Sequence, residues 1–487
     1  MAWVALTPVW VALAREPRPT WPRAVVLGLL TGVVYFSGTL YWLPDVMVTF
    51  GGLARPVAVA VAGLFIAYLA LFPAAAAAAV AATIRRYGVS GLWLAPLAWV
   101  GTEWIRGWLF TGFPWVVLGY SQATVIPVIQ LASVLGVLGV SGLVAFVSAA
   151  LAHAVVASRR AAFAGVLAAA GLVVGTVAWG TWRVARGDLV RDGTPLRVGV
   201  VQGNVPQDEK WDPARAREIL ARYLDLTRQV AARGAVLVVW PESATPFLFE
   251  EDPAGEAVRA TARETGAYVL FGSDQIERGS PPRYYNAAFL LDPEGRTAAV
   301  YRKRHLVPFG EYVPLKRVLF FVSPLVEAVS DFSAGAEPVM MEVAGHAVSA
   351  AICYEAVFEY LAREAVGRGS QLLTTLTNDA WYGRSSAPWQ HFEQASVRAV
   401  EQGRYLVRAA NTGVSGIVDP YGRVIARTGL FETATITGEV RLRGGRTIYG
   451  TMGDSFAWAS AAVAGLAAVV PGGRSRRRPG RSVRRRR

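Results

Sequence analysis

The stretch VSAAICYE at residues 348–355 is an apolar, strand-like run that ends on Cys353 and leads into a helix-like segment. Cys353 is the single cysteine among 487 residues, so it cannot form an intrachain disulfide. At the end of a strand and just before a helix, its thiolate would be favoured by the helix dipole and by nearby backbone amides. A free cysteine that only fills a buried core position is the alternative. Other residues must decide between a nucleophile and a packing residue.

The composition indicates a membrane protein that carries a folded domain. Hydrophobic residues make up 53% of the chain and charged residues 17%, which is too apolar for an ordinary soluble protein. The net charge is +14, but residues 474–487 contain nine arginines and no acid, which leaves 40 basic against 35 acidic residues elsewhere. A basic tail after an apolar span is typical of a cytoplasmic anchor beside anionic lipid, and we favour that interpretation over nucleic-acid binding. The four histidines lie far apart, with no HExxH or CxxC spacing, so no metal site is predicted.

Several uncharged stretches are candidates for membrane-spanning helices. They run over residues 24–44, 56–84, 87–102, 107–158, 161–182 and 455–473. The fourth is too long for one helix, and we expect a loop over 107–124 followed by a span near 126–157. Residues 1–14 are apolar but shorter than the roughly 20 residues that a spanning helix needs, and no basic segment precedes them as in a secretory signal. Two explanations remain: a helix missing upstream of this sequence, which would place the N-terminus in the cytoplasm, or a segment that only dips into the membrane.

Arginines mark the loops that we expect to face the cytoplasm. In step with the C-terminal tail, alternate loops carry Arg15, Arg18 and Arg23, then Arg85 and Arg86, then Arg159 and Arg160. By the positive-inside rule, the large segment before the last span then lies in the periplasm of a bacterial inner membrane. The predicted parts are an N-terminal transmembrane bundle (1–189), a periplasmic catalytic domain (190–453), a C-terminal transmembrane helix (454–473) and a basic cytoplasmic tail (474–487).

The middle of the chain has the pattern of an α/β domain, in which short apolar runs alternate with amphipathic helices. Candidate strands lie at 196–202, 235–240, 267–272, 285–291, 339–343, 347–353, 371–377, 405–410 and 413–418. Candidate helices lie at 213–233, 254–265, 356–367 and 390–403. In such folds active residues gather on the loops outside the strand ends.

Three residues that carry suitable chemistry fit that description. Glu242 follows the apolar run VVWP at 238–241, Lys303 lies in a polar segment after a tyrosine, and Cys353 ends its own run. A carboxylate near the thiol can accept its proton, and an ammonium group can stabilise the developing negative charge while sulfur attacks a carbonyl carbon. The product would be a thioester. Each residue alone also fits an exposed charge or a packing position, so the prediction depends on all three together.

These residues lie in motifs that resemble the Glu-Lys-Cys signature of the nitrilase (carbon-nitrogen hydrolase) superfamily. The motifs are WPE at 240–242, Lys303 with LVPFGE at 306–311, and CYE at 353–355. With the membrane spans, the chain looks like the apolipoprotein N-acyltransferase family. Further matching segments are YWL at 41–43, TGFPW at 111–115, VQGN at 201–204, KWDP at 210–213, TNDAWYG at 377–383 and RAANTG at 408–413.

The resemblance implies a nitrilase-like four-layer α-β-β-α sandwich on an α-helical membrane bundle. It implies that Glu242 is the general base, that Lys303 supports the oxyanion and that Cys353 is the nucleophile. An acyl chain would pass from a phospholipid such as phosphatidylethanolamine to Cys353, and then to the α-amino group of a diacylglyceryl-cysteine at a lipoprotein N-terminus. No cofactor or metal is implied, and we expect a monomer.

The resemblance also implies supporting roles around the three residues. The candidates are Glu311, Tyr354, Glu355 and Trp211. The aromatic residues among them could instead be packing residues, and the carboxylates could hold loops by accepting backbone hydrogen bonds.

The apolar run at 317–326 is unusual for a surface loop, and we interpret it as a membrane-facing arm that admits two-chain lipid substrates. Two other functions remain as alternatives. A membrane-anchored nitrilase-type amidohydrolase would use the same residues with water as the second nucleophile, but it would need at most one anchor. A transporter would need ionisable residues inside its spans, and Glu103 is the main example here.

Overall fold

Helices occupy the chain from Ala2 to Arg191, ahead of the first β-strand, in a computed structural model that describes residues 1–16, 18–312 and 331–469. They are α1 (Ala2–Ala5), α2 (Thr7–Ala14), α3 (Trp21–Thr39), α4 (Leu43–Thr49), α5 (Arg55–Tyr87), α6 (Ala95–Arg106), α7 (Ile126–Ile129), α8 (Ala132–Val156), α9 (Arg159–Arg186) and α10 (Asp188–Arg191). The predicted arm at 317–326 and the arginine tail at 474–487 lie outside the described residues.

Within the described ranges, four helical stretches are long and apolar enough to cross a membrane. They are Trp21–Thr39, Arg55–Arg106, Ala132–Val156 and Arg159–Arg191. The second joins two predicted spans, because α5 continues through a 3₁₀ segment at Gly88–Leu94 into the short helix α6. The predicted loop at 107–124 holds only short 3₁₀ turns before α8 begins.

The short N-terminal helices pack inside the bundle. Leu6, Trp10 and Leu13 are buried against side chains of α5, α6 and α8. Two hydrogen bonds fix this arrangement, since the Thr7 hydroxyl donates to the Ser148 carbonyl over 3.2 Å and the Ser148 hydroxyl donates to the Trp3 carbonyl over 2.8 Å.

The second part of the chain contains the β-strands and the remaining helices. The strands are β1 (Thr194–Gln202), β2 (Leu237–Val239), β3 (Tyr268–Glu277), β4 (Arg283–Leu291), β5 (Thr297–Arg302), β6 (Met340–Val343), β7 (His346–Ile352), β8 (Leu372–Thr377), β9 (Leu406–Ala410), β10 (Gly416–Val418), β11 (Val424–Arg427) and β12 (Ala434–Leu442). The helices are α11 (Ala216–Ala232), α12 (Gly255–Thr265), α13 (Glu359–Gly367), α14 (Ala387–Gln402), α15 (Ile448–Met452) and α16 (Ser455–Val469).

The described strands form two six-stranded sheets, with the orders β12-β1-β2-β3-β4-β5 and β11-β10-β9-β8-β7-β6. The central pairs β1–β2, β2–β3, β7–β8 and β8–β9 are parallel, and the other pairs are antiparallel. Parallel strands are usually covered on both faces, which explains why the central strands read as continuous apolar runs.

The two sheets pack face to face. Val198 and Leu237 of the first sheet share one buried cluster with Val348 and Leu372 of the second. Helices α11 and α12 cover the outer face of the first sheet, and α13 and α14 cover the outer face of the second. This is the four-layer α-β-β-α sandwich that the resemblance implied, and that prediction is confirmed.

The structure differs from the predicted elements at a few points. Strands β5, β11 and β12 were not predicted, because their residues are only partly buried and they carry no clear apolar run. The last residue of β7 is Ile352, so Cys353 lies just beyond the strand rather than inside it.

Candidate active site

The fold brings Glu242, Lys303 and Cys353 together. Glu242 lies on the loop after β2, Lys303 directly follows β5, and Cys353 directly follows β7. All three are buried, with 7%, 1% and 6% of their surface exposed respectively. The first two come from one sheet and the third from the other, so the site lies where the ends of the two sheets meet.

Both carboxylate oxygens of Glu242 are occupied. Its Oε1 accepts a 2.7 Å hydrogen bond from the side-chain amide of Asn286 and lies 3.5 Å from Lys303 Nζ. Its Oε2 accepts a 2.9 Å hydrogen bond from the backbone N–H of Asn378. A glycine is required beneath this loop, because a Cβ at Gly272 would lie 2.6 Å from Glu242 Cα.

Lys303 is held between two carboxylates. Its Nζ donates to Glu311 Oε1 over 2.8 Å, and Glu311 Oε2 accepts from the backbone N–H of Val307 over 2.8 Å. Burial by itself lowers the pKa of Lys303, but Glu311 and then Glu242 outweigh it and raise the pKa above its ordinary value. Lys303 is therefore a permanent cation beside Glu242.

Cys353 has a strained backbone and a neutral side chain. Its φ of 52° lies in the left-handed region, which costs a residue with a side chain about 1 kcal/mol or more. Burial and the Glu242 carboxylate raise the pKa of the thiol, and Lys303 opposes them only in part. The lowered thiol pKa expected from the sequence is not found, because burial outweighs Lys303 and because a short 3₁₀ turn rather than an α-helix directly follows Cys353.

Glu355 joins the end of β7 to the residues that follow Lys303. Its Oε1 accepts from Tyr301 Oη, Arg304 N and His305 N over 2.8, 2.7 and 3.1 Å. Its Oε2 accepts from the backbone N–H of Ile352 over 2.7 Å. These contacts fit the loop-holding interpretation of this carboxylate.

Tyr354 packs against aromatic side chains between the sandwich and the membrane bundle. Its ring stacks on Trp115 with centroids 6.2 Å apart, and its hydroxyl donates to the Gly112 carbonyl over 3.3 Å. Arg106, at the end of α6, holds this loop by donating to the carbonyls of Phe113 and Trp115 over 2.9 and 2.8 Å. The residue after Cys353 therefore contacts a segment that emerges from the membrane helices.

Helix α14 carries a second link across this junction. The Gln390 Oε1 accepts hydrogen bonds from the indole nitrogens of Trp115 and Trp42 over 2.8 and 3.3 Å. Its Nε2 donates to the carbonyl of Thr39, at the end of α3, over 3.0 Å. One side chain of the sandwich thus binds two parts of the bundle.

Trp211 lies apart from the buried residues, with 45% of its surface exposed. The preceding residue, Lys210, is 4% exposed and donates to the Glu242 carbonyl over 3.3 Å. Burial lowers the pKa of Lys210, while Glu242, Asp274 and Cys353 raise it in part. The sequence segment KWDP thus places its lysine inside the site and its tryptophan at the surface.

Several residues of the site were not predicted from the sequence. Lys210 and Asn378 lie inside the KWDP and TNDAWYG motifs, but the sequence assigns no role to either residue. The only signal for Asn286 is a polar residue within the apolar strand β4. His391 is distant in sequence from the other histidines, yet its Nε2 lies 3.0 Å from the carbonyl oxygen of Cys353.

Two family models match the chain. Residues 197–448 match the model described as carbon-nitrogen hydrolase, and residues 1–151 match the model of the apolipoprotein N-acyltransferase N-terminal domain. The first covers the sandwich, and the second covers most of the membrane bundle.

Proteins named apolipoprotein N-acyltransferase are similar along nearly the whole chain. The one from Geobacter metallireducens is 41% identical over 479 residues, which cover 96% of this chain and 90% of that protein. The one from Methylococcus capsulatus is 40% identical and covers 89% of this chain and 84% of that protein. The one from Gloeobacter violaceus is 36% identical, with coverage of 98% and 91%.

Solved structures of amidases are also similar in part. A mutant of the Nesterenkonia AN1 amidase from the nitrilase superfamily is 21% identical, has a TM-score of 0.42, and covers 56% of this chain and 98% of its own. An amidase from Nesterenkonia sp. is 22% identical, with a TM-score of 0.39 and coverage of 52% and 93%.

Proposed function

The chain belongs to the apolipoprotein N-acyltransferase family, and we propose that it carries out the reaction for which that family is named. It moves an acyl chain from a membrane phospholipid, through a thioester on Cys353, to the α-amino group of the N-terminal diacylglyceryl-cysteine of a bacterial lipoprotein. The observation that carries this proposal is the similarity to apolipoprotein N-acyltransferases along both the bundle and the sandwich. We take phosphatidylethanolamine as the donor and the monomer as the acting unit.

The first half-reaction acylates Cys353. Glu242 accepts the thiol proton while sulfur attacks the ester carbonyl carbon, and the Lys303 ammonium group stabilises the oxyanion. The carbon–oxygen bond then breaks, and the proton on Glu242 goes to the departing lysophospholipid hydroxyl. The distance of 3.5 Å between Lys303 Nζ and Glu242 Oε1, inside a buried site, supports these paired roles.

The second half-reaction transfers the acyl chain to the lipoprotein. The α-amino nitrogen attacks the thioester carbonyl, and Glu242 accepts a proton from that nitrogen. The carbon–sulfur bond breaks, sulfur regains a proton, and an amide is formed. Because the same three groups serve both steps, the kinetics should be ping-pong.

The electrostatics of the site support a general base. Burial and Glu242 raise the pKa of the Cys353 thiol, so the resting nucleophile carries its proton. A neutral thiol is a weak nucleophile until a neighbouring group accepts that proton. Glu242 is the carboxylate in the described site whose charge acts most strongly on Cys353.

The junction between bundle and sandwich supports a lipid substrate. Tyr354, next to the nucleophile, packs with Phe113 and Trp115 of the membrane loop and with Phe36 and Leu69 of the bundle in one apolar cluster. This apolar cluster lies between the bundle and Tyr354, and we propose that the acyl chain follows it from the bilayer to Cys353. The amidohydrolase alternative gives no reason for such a junction.

We propose that the sandwich lies in the periplasm. Arg85 donates to the Pro19 carbonyl over 3.1 Å, and Arg86 donates to the Ala467 carbonyl over 3.0 Å, so arginine-bearing turns and the end of α16 lie at one end of the bundle. At the opposite end, Asp454 ahead of α16 lies 3.7 Å from Arg363 of the sandwich. The positive-inside rule assigns the arginine-bearing end to the cytoplasm.

Intact-protein mass spectrometry tests the reaction. The detergent-purified protein is incubated with phosphatidylethanolamine, beside a Cys353→Ser control, and is then mixed with a diacylglyceryl-cysteine peptide. We expect an added acyl mass on the wild type that neutral hydroxylamine removes and that the peptide discharges with its own acylation.

Two other results would contradict the proposal. If water cleared the adduct while the peptide stayed unmodified, the amidohydrolase alternative would be favoured. If no adduct formed with intact lipid and folded protein, Cys353 would not be the nucleophile.

A further inference from the structure

A second buried charged cluster lies directly behind the nucleophile. Asp379 opens the 3₁₀ turn after β8, His391 lies on α14, and Arg408 lies on β9. All three are 0% exposed, and the reaction described above uses none of them. Three charged or polar side chains at zero exposure are costly to bury, so their hydrogen bonds need an explanation.

The cluster contacts the backbone of Cys353 through His391. The His391 Nε2 lies 3.0 Å from the Cys353 carbonyl oxygen, and because that oxygen can only accept, Nε2 donates. The His391 Nδ1 lies 2.9 Å from Asp379 Oδ1. With the imidazole proton on Nε2, Nδ1 carries a lone pair and accepts from Arg408 Nη2 over 3.0 Å, and the same Nη2 donates to Asp379 Oδ2 over 2.9 Å.

The same carboxylate oxygen also orients a group beside the sulfur. The Thr377 hydroxyl donates to Asp379 Oδ1 over 3.0 Å. Burial and Glu242 raise the pKa of the Cys353 thiol and Asp379 adds to this, whereas Lys303 and a hydrogen bond with Thr377 lower it. Asp379 therefore fixes His391 through the Arg408 guanidinium group and accepts from Thr377 directly.

The backbone conformation of Cys353 explains why its peptide unit needs a hydrogen bond to hold it. Its φ of 52° is unfavourable for a residue with a side chain and persists only where the surroundings over-determine it. The peptide unit after Cys353 is planar, so a fixed carbonyl also fixes the opposite direction of the Tyr354 N–H. The hydrogen bond from His391 thus sets the orientation of the peptide next to the reacting sulfur.

We propose that Asp379 and His391 are positioning residues for acyl transfer, with His391 holding the carbonyl of Cys353 and Asp379 holding the Arg408 guanidinium group that orients His391. Neither residue touches substrate or exchanges a proton with it. This inference rests on the proposed function, since it concerns the rate at which Cys353 is acylated and discharged.

The test compares two substitutions of His391 in the full-length enzyme. His391→Phe removes the donor but keeps a ring against Trp115, whose centroid lies 5.3 Å from that of His391. His391→Gln keeps an N–H donor of similar reach. We expect kcat for transfer from phosphatidylethanolamine to fall about 100-fold in the phenylalanine variant and only about 10-fold in the glutamine variant, with KM nearly unchanged.

A matched control lies on the strand of the nucleophile. His346 on β7 is hydrogen-bonded to Gln371 at 2.7 Å but is remote from the site, so His346→Phe should keep the wild-type kcat. If His391→Phe kept a kcat within about twofold of wild type, or if the glutamine variant recovered nothing, the positioning role would be refuted.

A second measurement needs no lipid substrate. Alkylation of Cys353 by iodoacetamide is followed against pH, since only the thiolate reacts. Asp379→Asn should move this profile to lower pH, because it removes a negative charge that raises the pKa of the Cys353 thiol, and an unmoved profile would refute the placement of Asp379 beside Cys353. This measurement also applies if His391→Phe does not fold.

The two tests separate the failure of this inference from the failure of the proposed function. A wild type that forms no thioester with phosphatidylethanolamine refutes the function, whatever the variants do. A wild type that transfers the acyl chain, with variants that match it in kcat and in alkylation profile, refutes only the positioning role.

Discussion

Asn286 donates its side-chain amide to Oε1 of Glu242 over 2.7 Å. The second hydrogen of the same nitrogen goes to Glu311 Oε1 over 3.0 Å, so one neutral amide joins the proposed base to the carboxylate that holds Lys303. The amide binds both buried carboxylates without adding a charge to the site. The position of the base therefore depends on a residue of β4 that is not part of the catalytic signature.

Replacing Asn286 with leucine should slow acylation of Cys353. The change keeps the side-chain volume but removes a hydrogen bond to a charged group, which we expect to lower the acylation rate about 10- to 100-fold. Single-turnover mass spectrometry with phosphatidylethanolamine measures that rate. Gln275 is a matched control, because its amide donates to the Glu250 carboxylate over 2.9 Å at the surface. A Gln275→Leu variant as slow as Asn286→Leu would remove the support for this prediction.

Replacing Lys303 with methionine should abolish transfer and also destabilise the fold. The change leaves Glu311 and Glu242 buried without their shared cation, and the loss of one partner of a buried ion pair costs about 3–5 kcal/mol. Thermal unfolding in detergent, followed by tryptophan fluorescence, measures the change in stability.

A double variant separates the two effects of Lys303. Adding Glu311→Gln to Lys303→Met removes one of the uncompensated charges, so much of the lost stability should return. Transfer should stay absent, because the cation that faces the oxyanion is still missing. Recovery of activity together with stability would show that Lys303 acts only on the fold.

Glu355→Gln should lower the unfolding temperature more than Tyr301→Phe does. The carboxylate accepts hydrogen bonds on both oxygens, and a glutamine would turn its NH₂ group towards the N–H of Ile352 or of Arg304. A buried donor facing another donor costs about 1–3 kcal/mol beyond the lost bond, whereas Tyr301→Phe removes one donor at about 1 kcal/mol. Unfolding temperatures of the two variants provide the comparison, and equal values would contradict the loop-holding role.

The stability of the protein should depend on Asp379 in acid. Burial acts to raise the pKa of Asp379, but Arg408 and His391 outweigh it and hold the pKa at about 2, below the ordinary value of 3.8. The unfolded chain therefore binds a proton at a higher pH than the folded one. This contribution to the free energy of unfolding, about 2 kcal/mol, is full above about pH 4 and is lost as the pH falls to about 2.

Urea unfolding at a series of acidic pH values checks this contribution. Asp379→Asn should be less stable at neutral pH but should lose about 2 kcal/mol less than the wild type between about pH 5 and about pH 2. Asp225→Asn is the control, since Asp225 forms an exposed pair with Arg228. A wild-type pH dependence in Asp379→Asn would contradict the lowered pKa.

Gln390→Leu should weaken the contact between bundle and sandwich. It leaves the indole nitrogens of Trp42 and Trp115 without their shared acceptor, and each buried donor left unpaired costs about 1–3 kcal/mol. Unfolding temperature and transfer from lipid should both fall. Gln394 lies one turn further along α14, and its buried amide has no hydrogen-bond partner among the described residues. Gln394→Leu should therefore be neutral or stabilising, and a loss as large as that of Gln390→Leu would contradict the argument.

The sequence predicted the parts of the site that stand in apolar runs. Glu242 and Cys353 each follow a strand whose residues are mostly apolar, so the α/β pattern placed both at strand ends. Lys303 follows β5, which was not predicted, and its motif alone indicated it. The central strands were found because burial on both faces leaves a continuous apolar run. The edge strands β11 and β12 were missed, because an edge strand is partly exposed and its composition resembles that of a loop.

The electrostatic state of the site could not be derived in the same way. The pKa of Cys353 depends on how deeply the thiol is buried and on which charges face it, and residues distant in the chain determine both. His391 follows Cys353 by 38 positions, and nothing in its local sequence indicates a contact with the nucleophile. This contact appears only when α14 is packed against the end of β7.

The order of the strands determines which parts of the chain must fold together to form the site. Strands β1–β5 and β7–β11 repeat one arrangement, with three parallel strands followed by two antiparallel ones. The sixth strand of each repeat crosses over, since β6 pairs with β7 and β12 pairs with β1. The sandwich is thus an intramolecular strand swap between two halves of similar topology.

Neither half can complete its own sheet. The half that carries Glu242 and Lys303 receives its edge strand from the half that carries Cys353, and the exchange is mutual. A fragment that holds one half has an unpaired sheet edge and lacks either the proposed base, Glu242, or the proposed nucleophile, Cys353. Acyl-transfer chemistry is therefore a property of the closed pair, and no proteolytic half of this protein should retain a trace of it.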